Sequence, residues 1–536
     1  MPDPETTAQQ PAATQAPAAP PTLDHILDDG KLVRLPKTAS DAEKKKARDN
    51  AIQMLRDYVA RLTEKPEEAK DKQAVMEVLQ EQIKKIDEWL SDQVSQILHD
   101  EKFRTLEASW RGLRYLVFNT ETSTRLKLRL LNVKRDTLAK DLSQAIDKDQ
   151  SALFKKVYEE EYGTYGGAPF SLLVGDFSFG RQPADTELLT NLSSVAAAAH
   201  APFIAAADPD LFGMESFTEL GAPRDMAKIF ESLELIKWQS FRKSEDARYV
   251  TLCLPRFLLR LPYGDKLVKS EKFAMEENVD DPKAPNVKAW VPPDAPEAKD
   301  GEQPKYLPKP KEHSRYLWGN TAYALGARIT NAFAQYSWCA AIRGPEGGGK
   351  VTNLPAHIFD TEEGEKALKC PTEVSITDRR EKELDGLGFI TLIHCKGQDY
   401  AAFFGGQTTH KPPVFDLDAA NANAAISARL PYLLAASRFA HYLKVMCRDK
   451  IGTFQTKETM SQFLNRWIMS YVLATDDAGQ DVKAQFPLRE ARIDVFDVPG
   501  KPGAYRAVCF LRPHFQLEEL TTSIRLVAEL PPPVAA

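Results

Sequence analysis

Cysteine is scarce in this chain, with six residues among 536, at positions 253, 339, 370, 395, 447 and 509. None of them stands in CxxC or zinc-ligand spacing, which argues against a disulfide framework and a cysteine-built zinc site. Scattered thiols in a chain of this size read as small buried hydrophobes in a reducing compartment. Long apolar runs are also lacking. The best candidate, 195–207, is Ala-rich, short and broken by His200 and Pro202, so no membrane insertion is expected. Met1 to Pro21 is Ala, Pro, Gln and Thr without a basic or an apolar region, which excludes a signal peptide; the expected location is cytoplasmic. No charge sign dominates: 70 Lys and Arg stand against 76 Asp and Glu, a net −6. With no basic stripe carrying interleaved aromatics, no nucleic-acid partner is expected. None of the nine histidines stands in HExxH spacing, no GxSxG occurs, and no fixed-period repeat is visible.

What is present is an ordinary globular balance, 43% hydrophobic and 27% charged, at a length that suits three or four domains, or fewer with large insertions. Residues 1–21 cannot bury enough apolar surface to offset ordering entropy and read as a disordered tail. An island follows, Leu23, Ile26 and Leu27 between Asp24, Asp28, Asp29 and Gly30. Its spacing fits one helical turn, either folded onto its own body or helical only in a partner's groove. Ile52, Leu55, Val59 and Leu62 predict a helix stopped by Pro66. Val75, Leu79, Ile83, Ile86, Leu90, Val94 and Ile97 predict a second, long one with a narrow stripe. The stripe suits packing along another long helix, within this chain in the first instance.

From Leu126 the period falls to two: Leu126, Leu128 and Leu130 alternate with Lys127 and Arg129, the pattern of a half-buried strand. Short apolar runs at 170–177, 202–207 and 249–254 lie between helical segments, as in strands covered on both faces. The predicted class is therefore α/β. The organisation is a tail and linker at 1–40, a helical region at 41–105, a domain at 106–370 and a second at 371–536. A Pro- and charge-rich stretch at 280–311 reads as a surface loop. In the last domain, 388–395 and 400–404 predict a hairpin, 419–447 and 456–474 helices. The runs 491–498, 504–511 and 517–530 read as extended.

The loudest chemical motif is Gly344-Pro345-Glu346-Gly347-Gly348-Gly349-Lys350, which fits GxxxxGK. A nucleotide-binding P-loop also needs a preceding buried strand and a following Ser or Thr for magnesium, and Val351 stands there instead. The glycines are read as a turn needing positive φ. Gly386-Leu387-Gly388 lacks the third glycine of a dinucleotide fingerprint. Asp208-Pro209-Asp210 and Asp416-Leu417-Asp418 read as turn and cap carboxylates. His394, His441 and His514 sit beside apolar runs and read as satisfied core or interface residues. No catalytic, cofactor or metal set is expected.

Several phrases carry identity together: Ser109-Trp110-Arg111-Gly112-Leu113, Asp149-Gln150-Ser151, Gly166-Gly167, Gly175-Asp176, Leu261-Pro262-Tyr263-Gly264, Leu317-Trp318-Gly319-Asn320, Ile342-Arg343-Gly344 and Asp378-Arg379-Arg380-Glu381. Their order resembles the large sheath subunit of bacterial type VI secretion systems, the TssC (VipB, EvpB) family, over about residues 45 to 530. The resemblance implies a contractile-sheath fold and a structural role without catalysis. It implies pairing with the small subunit TssB (VipA), polymerisation with further copies around an inner Hcp tube on a baseplate, and disassembly by the ATPase ClpV. The family's ClpV-gripped N-terminal helix maps onto Leu23, Ile26 and Leu27. Its exchanged strands map onto Leu32, Val33 and Leu35 and onto Val495, Val498, Val508, Ile524 and Leu526. A helical lattice needs heterologous contacts, and free sheet edges supply them. The rival readings are a phage-type tail sheath homopolymer and a P-loop nucleotide-binding protein.

Overall fold

The computed structural model describes residues 41–62, 72–283, 309–360, 366–398, 400–453, 456–475, 477–501, 503–514 and 524–529. Leu23, Ile26, Leu27, Leu32, Val33 and Leu35 lie outside the described residues. The chain forms two compact units. One combines the N-terminal helices with Pro262–Asn278, and the other takes up His99–Leu261 and everything from Val279 onward.

In the first unit, helix α1 (Asp41–Leu62) runs beside α2 (Lys72–Leu98). The 262–278 segment lies on α2 through small polar residues. The Ser91 hydroxyl accepts from the Glu276 amide at 3.1 Å and that of Ser95 from the Asn278 amide at 3.5 Å. Leu79, Leu90 and Val94 of the expected stripe are half-buried, but Ile83, Ile86 and Ile97 stand exposed. Among the described residues the stripe is thus only partly covered. Among the described residues no helix is long and apolar enough to cross a membrane.

The second unit is built on a six-stranded sheet. Its strands are β1 (Leu173–Phe179), β2 (Phe203–Ala207), β3 (Val250–Leu254), β4 (Lys350–Val351), β5 (Phe389–His394) and β6 (Ala401–Phe403), in the order β1-β2-β3-β5-β6-β4. The first four are parallel and the last two joints antiparallel. Alternate side chains supply two cores: Phe203, Ala205, Leu252, Leu254 and Phe389 face one, Ile204, Cys253, Ile390 and Leu392 the other. Burial on both faces explains why these strands read as unbroken apolar runs. The sheet crosses the boundary expected at 370/371, because β5 and β6 return to pair with β3 and β4.

Helices cover both faces. Pro183 starts one of them, Pro183–Ala199, at its first turn, and His200 ends it in the left-handed region. On the other face lies Thr321–Tyr336, capped by the Asn320 side chain, which accepts from the Ala322 amide at 2.8 Å. Helix α3 (Glu101–Phe118), capped by Asp100, packs on Thr321–Tyr336. Gly112 is required there, since a Cβ would stand 2.4 Å from the Tyr323 ring.

One expected strand is absent. Residues 121–134 run without regular structure, and Leu126–Leu130 pairs with no other strand. Alternation creates a strand-like face, but a strand also needs a neighbour for its ladder, and the described chain supplies none here.

The C-terminal part carries a three-stranded antiparallel sheet, β7 (Leu488–Asp497), β8 (Tyr505–Pro513) and β9 (Ile524–Glu529), in that order. One face packs on the helices Leu430–Asp449 and Lys457–Met469, joining Ile493, Val495, Ala507, Cys509 and Leu511 to Phe439, Leu443, Leu464 and Ile468. The expected 419–447 helix is divided in two, Asp418–Ser427 and Leu430–Asp449, with Pro431 in the first turn of the second.

Candidate functional site

The glycine run forms a turn closed on itself. Gly344 and Gly348 take φ of 69° and 90°. The Gly344 amide donates to Phe403 O at 2.7 Å, Gly349 to Gly344 O at 2.8 Å and Arg343 to Gly347 O at 3.3 Å. Those amides are spent on backbone carbonyls rather than turned outward. Lys350 begins strand β4, so no helix N-terminus follows the glycines to hold a phosphate. Its ammonium lies 4.2 Å from the centre of the Tyr400 ring. The loop ties β4 to β6 and does not have the geometry of a nucleotide cradle.

The paired carboxylates serve local structure. Asp208 accepts from the Asp210 amide at 3.1 Å at the start of a single helical turn, and Asp418 opens a helix. His441 is buried, its Nε2 lying 2.9 Å from Ala199 O, and burial pushes the imidazole down to about 3. His394 Nε2 lies 3.2 Å from Gln398 O, and the backbone of His514 donates to Pro487 O at 3.0 Å. Cys253, Cys339, Cys447 and Cys509 are buried free thiols, whereas Cys370 and Cys395 are half-buried. Among the described residues no group of three or more His, Cys, Asp or Glu is placed to hold a metal.

The most elaborate polar cluster is also an internal brace. Burial by itself would raise the Glu373 carboxyl, yet hydrogen bonds from Arg256 and His313 hold it at about 2. Arg256 Nε lies 2.8 Å from Glu373 Oε2, and Lys369 Nζ lies 2.9 Å from His313 Nδ1. These groups tie the segment after β3 to the segment before β5 (Arg256, Glu373).

What distinguishes one strand edge from another is how it is closed. Where the β1–β2 register shifts, between Val174 and Ser178, Asn320 donates to the carbonyls of Gly175 and Phe177, at 3.2 and 3.4 Å, and Arg135 donates to that of Ser178 at 3.0 Å. At the opposite edge Arg328 donates to Lys350 O at 2.7 Å. In the three-stranded sheet, Asn465 imitates a neighbouring strand. Its Nδ2 donates to Ile493 O at 2.7 Å and its Oδ1 accepts from the Ile493 amide at 2.9 Å. Because alternate residues of a strand turn their amides to the same side, Val495 and Asp497 present theirs toward that edge as well. Beyond β9, no further strand is paired among the described residues.

The predicted exchange residues separate accordingly. Val495 and Val508 are buried within this chain's own sheet, and Val498 is half-buried just past β7. Ile524 and Leu526 lie on β9, opposite Leu511 and Cys509 of β8. The C-terminal strand is thus paired with β8 of this chain, while β7's outer edge is met at Leu488 by the Leu473 amide and at Ile493 by Asn465. Asn465 was missed by sequence reasoning; a polar residue within an apolar-periodic helix was its only signal.

Residues 80–410 match the family model of the EvpB-type (VipB) tail sheath N-terminal domain, and residues 419–530 match that of the EvpB-type tail sheath gpW/gp25-like domain. The chain is 47% identical over 449 residues to the type VI secretion system sheath protein TssC1 of Pseudomonas aeruginosa, covering 83% of this chain and 84% of that protein. The chain belongs to the TssC (VipB/EvpB) tail sheath family of type VI secretion systems.

Proposed function

We propose that this chain is the large subunit of a contractile type VI sheath and acts without catalysis. It pairs with the small subunit TssB (VipA), and the pairs polymerise helically around an inner Hcp tube on a baseplate, in the cytoplasm. Contraction drives tube and spike outward to deliver effectors. The observation that carries the reading is family membership along both matched regions, joined to a C-terminal sheet in which β9 has no further strand paired to it among the described residues. Strand addition at that sheet holds neighbours together through backbone hydrogen bonds while rigid bodies slide between two packings. Leu32, Val33 and Leu35 supply the linking strand, and Val495, Val498, Val508, Ile524 and Leu526 belong to the sheet that receives it. Leu23, Ile26 and Leu27 are the anchors that ClpV recognises when it takes apart the spent sheath.

Negative-stain microscopy tests the proposal. Co-expression with the small partner yields tubules, and the chain alone does not. Tubules from the chain alone would instead favour a phage-type homopolymer. Deleting residues 1–35 leaves a folded chain whose sheaths do not form or contract; normal contraction after that deletion would refute the linker's role.

A further inference from the structure

Residues 125–131, Arg-Leu-Lys-Leu-Arg-Leu-Leu, form a ribbon with the sequence of a strand and no paired strand among the described residues. It is fastened at both ends. At its start the Ser123 amide donates to Leu126 O at 2.9 Å, and the Ser123 hydroxyl accepts from the Leu126 amide at 3.1 Å. Past its end Val133 packs on the core, and Arg135 reaches Ser178 O and Asp185. Between these anchors, the backbone amides and carbonyls of 127–132 meet no partner among the described residues. The side chains are as open as the backbone: Leu128, Leu130 and Leu131 are 36%, 68% and 50% exposed. Val117 and Leu126 line a shallow groove beside Lys127 and Leu128, next to the exposed Phe118.

The charges say what fits. From Thr122 to Lys134 the chain carries Arg125, Lys127, Arg129 and Lys134 and no acid. Arg129 reaches Glu161, while Arg125 and Lys127 lie exposed. Pairing of this ribbon with the same ribbon of a second copy, in the antiparallel register that sets Leu128 opposite Leu128 and Leu126 opposite Leu130, sets Lys127 against Arg129, which is destabilising. Acidic residues at alternate positions of an incoming strand would instead meet the cations while its apolar residues covered Leu128 and Leu130. We propose that the 125–131 ribbon is a docking strand for an acidic, alternately apolar strand of a different polypeptide. This surface is separate from the C-terminal sheet edges, and the inference stands whether or not strands are exchanged there.

The test uses the full-length chain and a synthetic peptide alternating Glu with Val, with a Lys-for-Glu peptide as its control. Hydrogen exchange followed by mass spectrometry reads the amides of 127–132. At about 1 mM acidic peptide, exchange of the alternate amides that turn toward the docked strand slows on the order of tenfold or more, and the basic peptide leaves it unchanged. The double variant Arg125→Glu, Lys127→Glu changes only exposed side chains and reverses the preference. Absence of protection by the acidic peptide, equal protection by both peptides, or protection that survives the charge reversal would each overturn the inference. So would protection that grows with chain concentration alone, which would mark a second copy as the occupant.

Discussion

Asn465 offers a sharp test of how this protein closes a strand edge. Its carboxamide supplies both hydrogen bonds that Ile493 would otherwise make to a neighbouring strand, at 2.7 and 2.9 Å. Asn465→Ala leaves a buried amide and carbonyl on β7 without those partners, apart from the Ser461 hydroxyl, 3.4 Å from the same carbonyl. Two hydrogen bonds at about 1 kcal/mol each give about 2 kcal/mol, which raises the local opening constant on the order of 30-fold. Exchange of the Ile493 amide, followed by mass spectrometry under native conditions, should accelerate by that order. A global melting curve is a poorer readout, because a chain with more than one compact unit need not unfold in one step. Asn465→Asp should be worse than alanine at the carbonyl: it keeps an acceptor for the Ile493 amide but turns a carboxylate oxygen toward Ile493 O. Acceleration of less than about twofold in both variants would refute the view that this side chain stands in for a strand.

Other expectations follow from the buried polar groups and the glycine turn. Glu373→Gln removes the charge that Arg256 and His313 face, and should destabilise by roughly 2 kcal/mol after allowance for the partly exposed arginine, read as a lower melting temperature at neutral pH. The Glu373 carboxyl sits at about 2 against an ordinary 4.5, so its contribution is fully present above 4.5 and is lost as pH falls through about 2. A melting profile with the same acid slope in wild type and Glu373→Gln would count against it. Burial lowers His441 to about 3 from 6.5, so the unfolded chain takes up that proton first and stability drops as pH falls below 6.5 toward 3. His441→Gln, which retains a donor for Ala199 O, should flatten that part of the profile; an unchanged slope would dismiss the assignment. Gly348→Ala places a Cβ 2.1 Å from Ala341 O at φ +90°, and should cost more than about 1 kcal/mol in thermal melting. Lys350→Ala should leave nucleotide affinity, measured by calorimetry, indistinguishable from the parent's.

The parallel core was legible because strands buried on both faces carry unbroken apolar runs: 202–207 and 249–254 became β2 and β3. Helix caps were less visible than helix stripes, since each cap rests on a single side chain, Asn320 accepting from the Ala322 amide and Thr456 from the Thr459 amide. The glycine turn was readable from the missing hydroxyl at Val351 and the need for positive φ, which Gly344 and Gly348 adopt. Periodicity reports which faces of a segment are apolar, and that property travels with the local sequence.

Pairing does not travel with it. Leu126–Leu130 has the alternation of a strand but no neighbouring strand among the described residues, and nothing within those residues says so. The boundary expected at 370/371 failed to mark the sheet because β5 joins β3 across a long stretch of chain. Likewise, Ile83 and Ile86 belong to a clear stripe, yet their exposure depends on what the rest of the fold brings against it. Sequence determined the apolar faces, the turns and the family. Tertiary structure alone decided which strand backbone Asn320, Arg328 and Asn465 would meet, because hydrogen-bond partners distant in the chain meet only after folding.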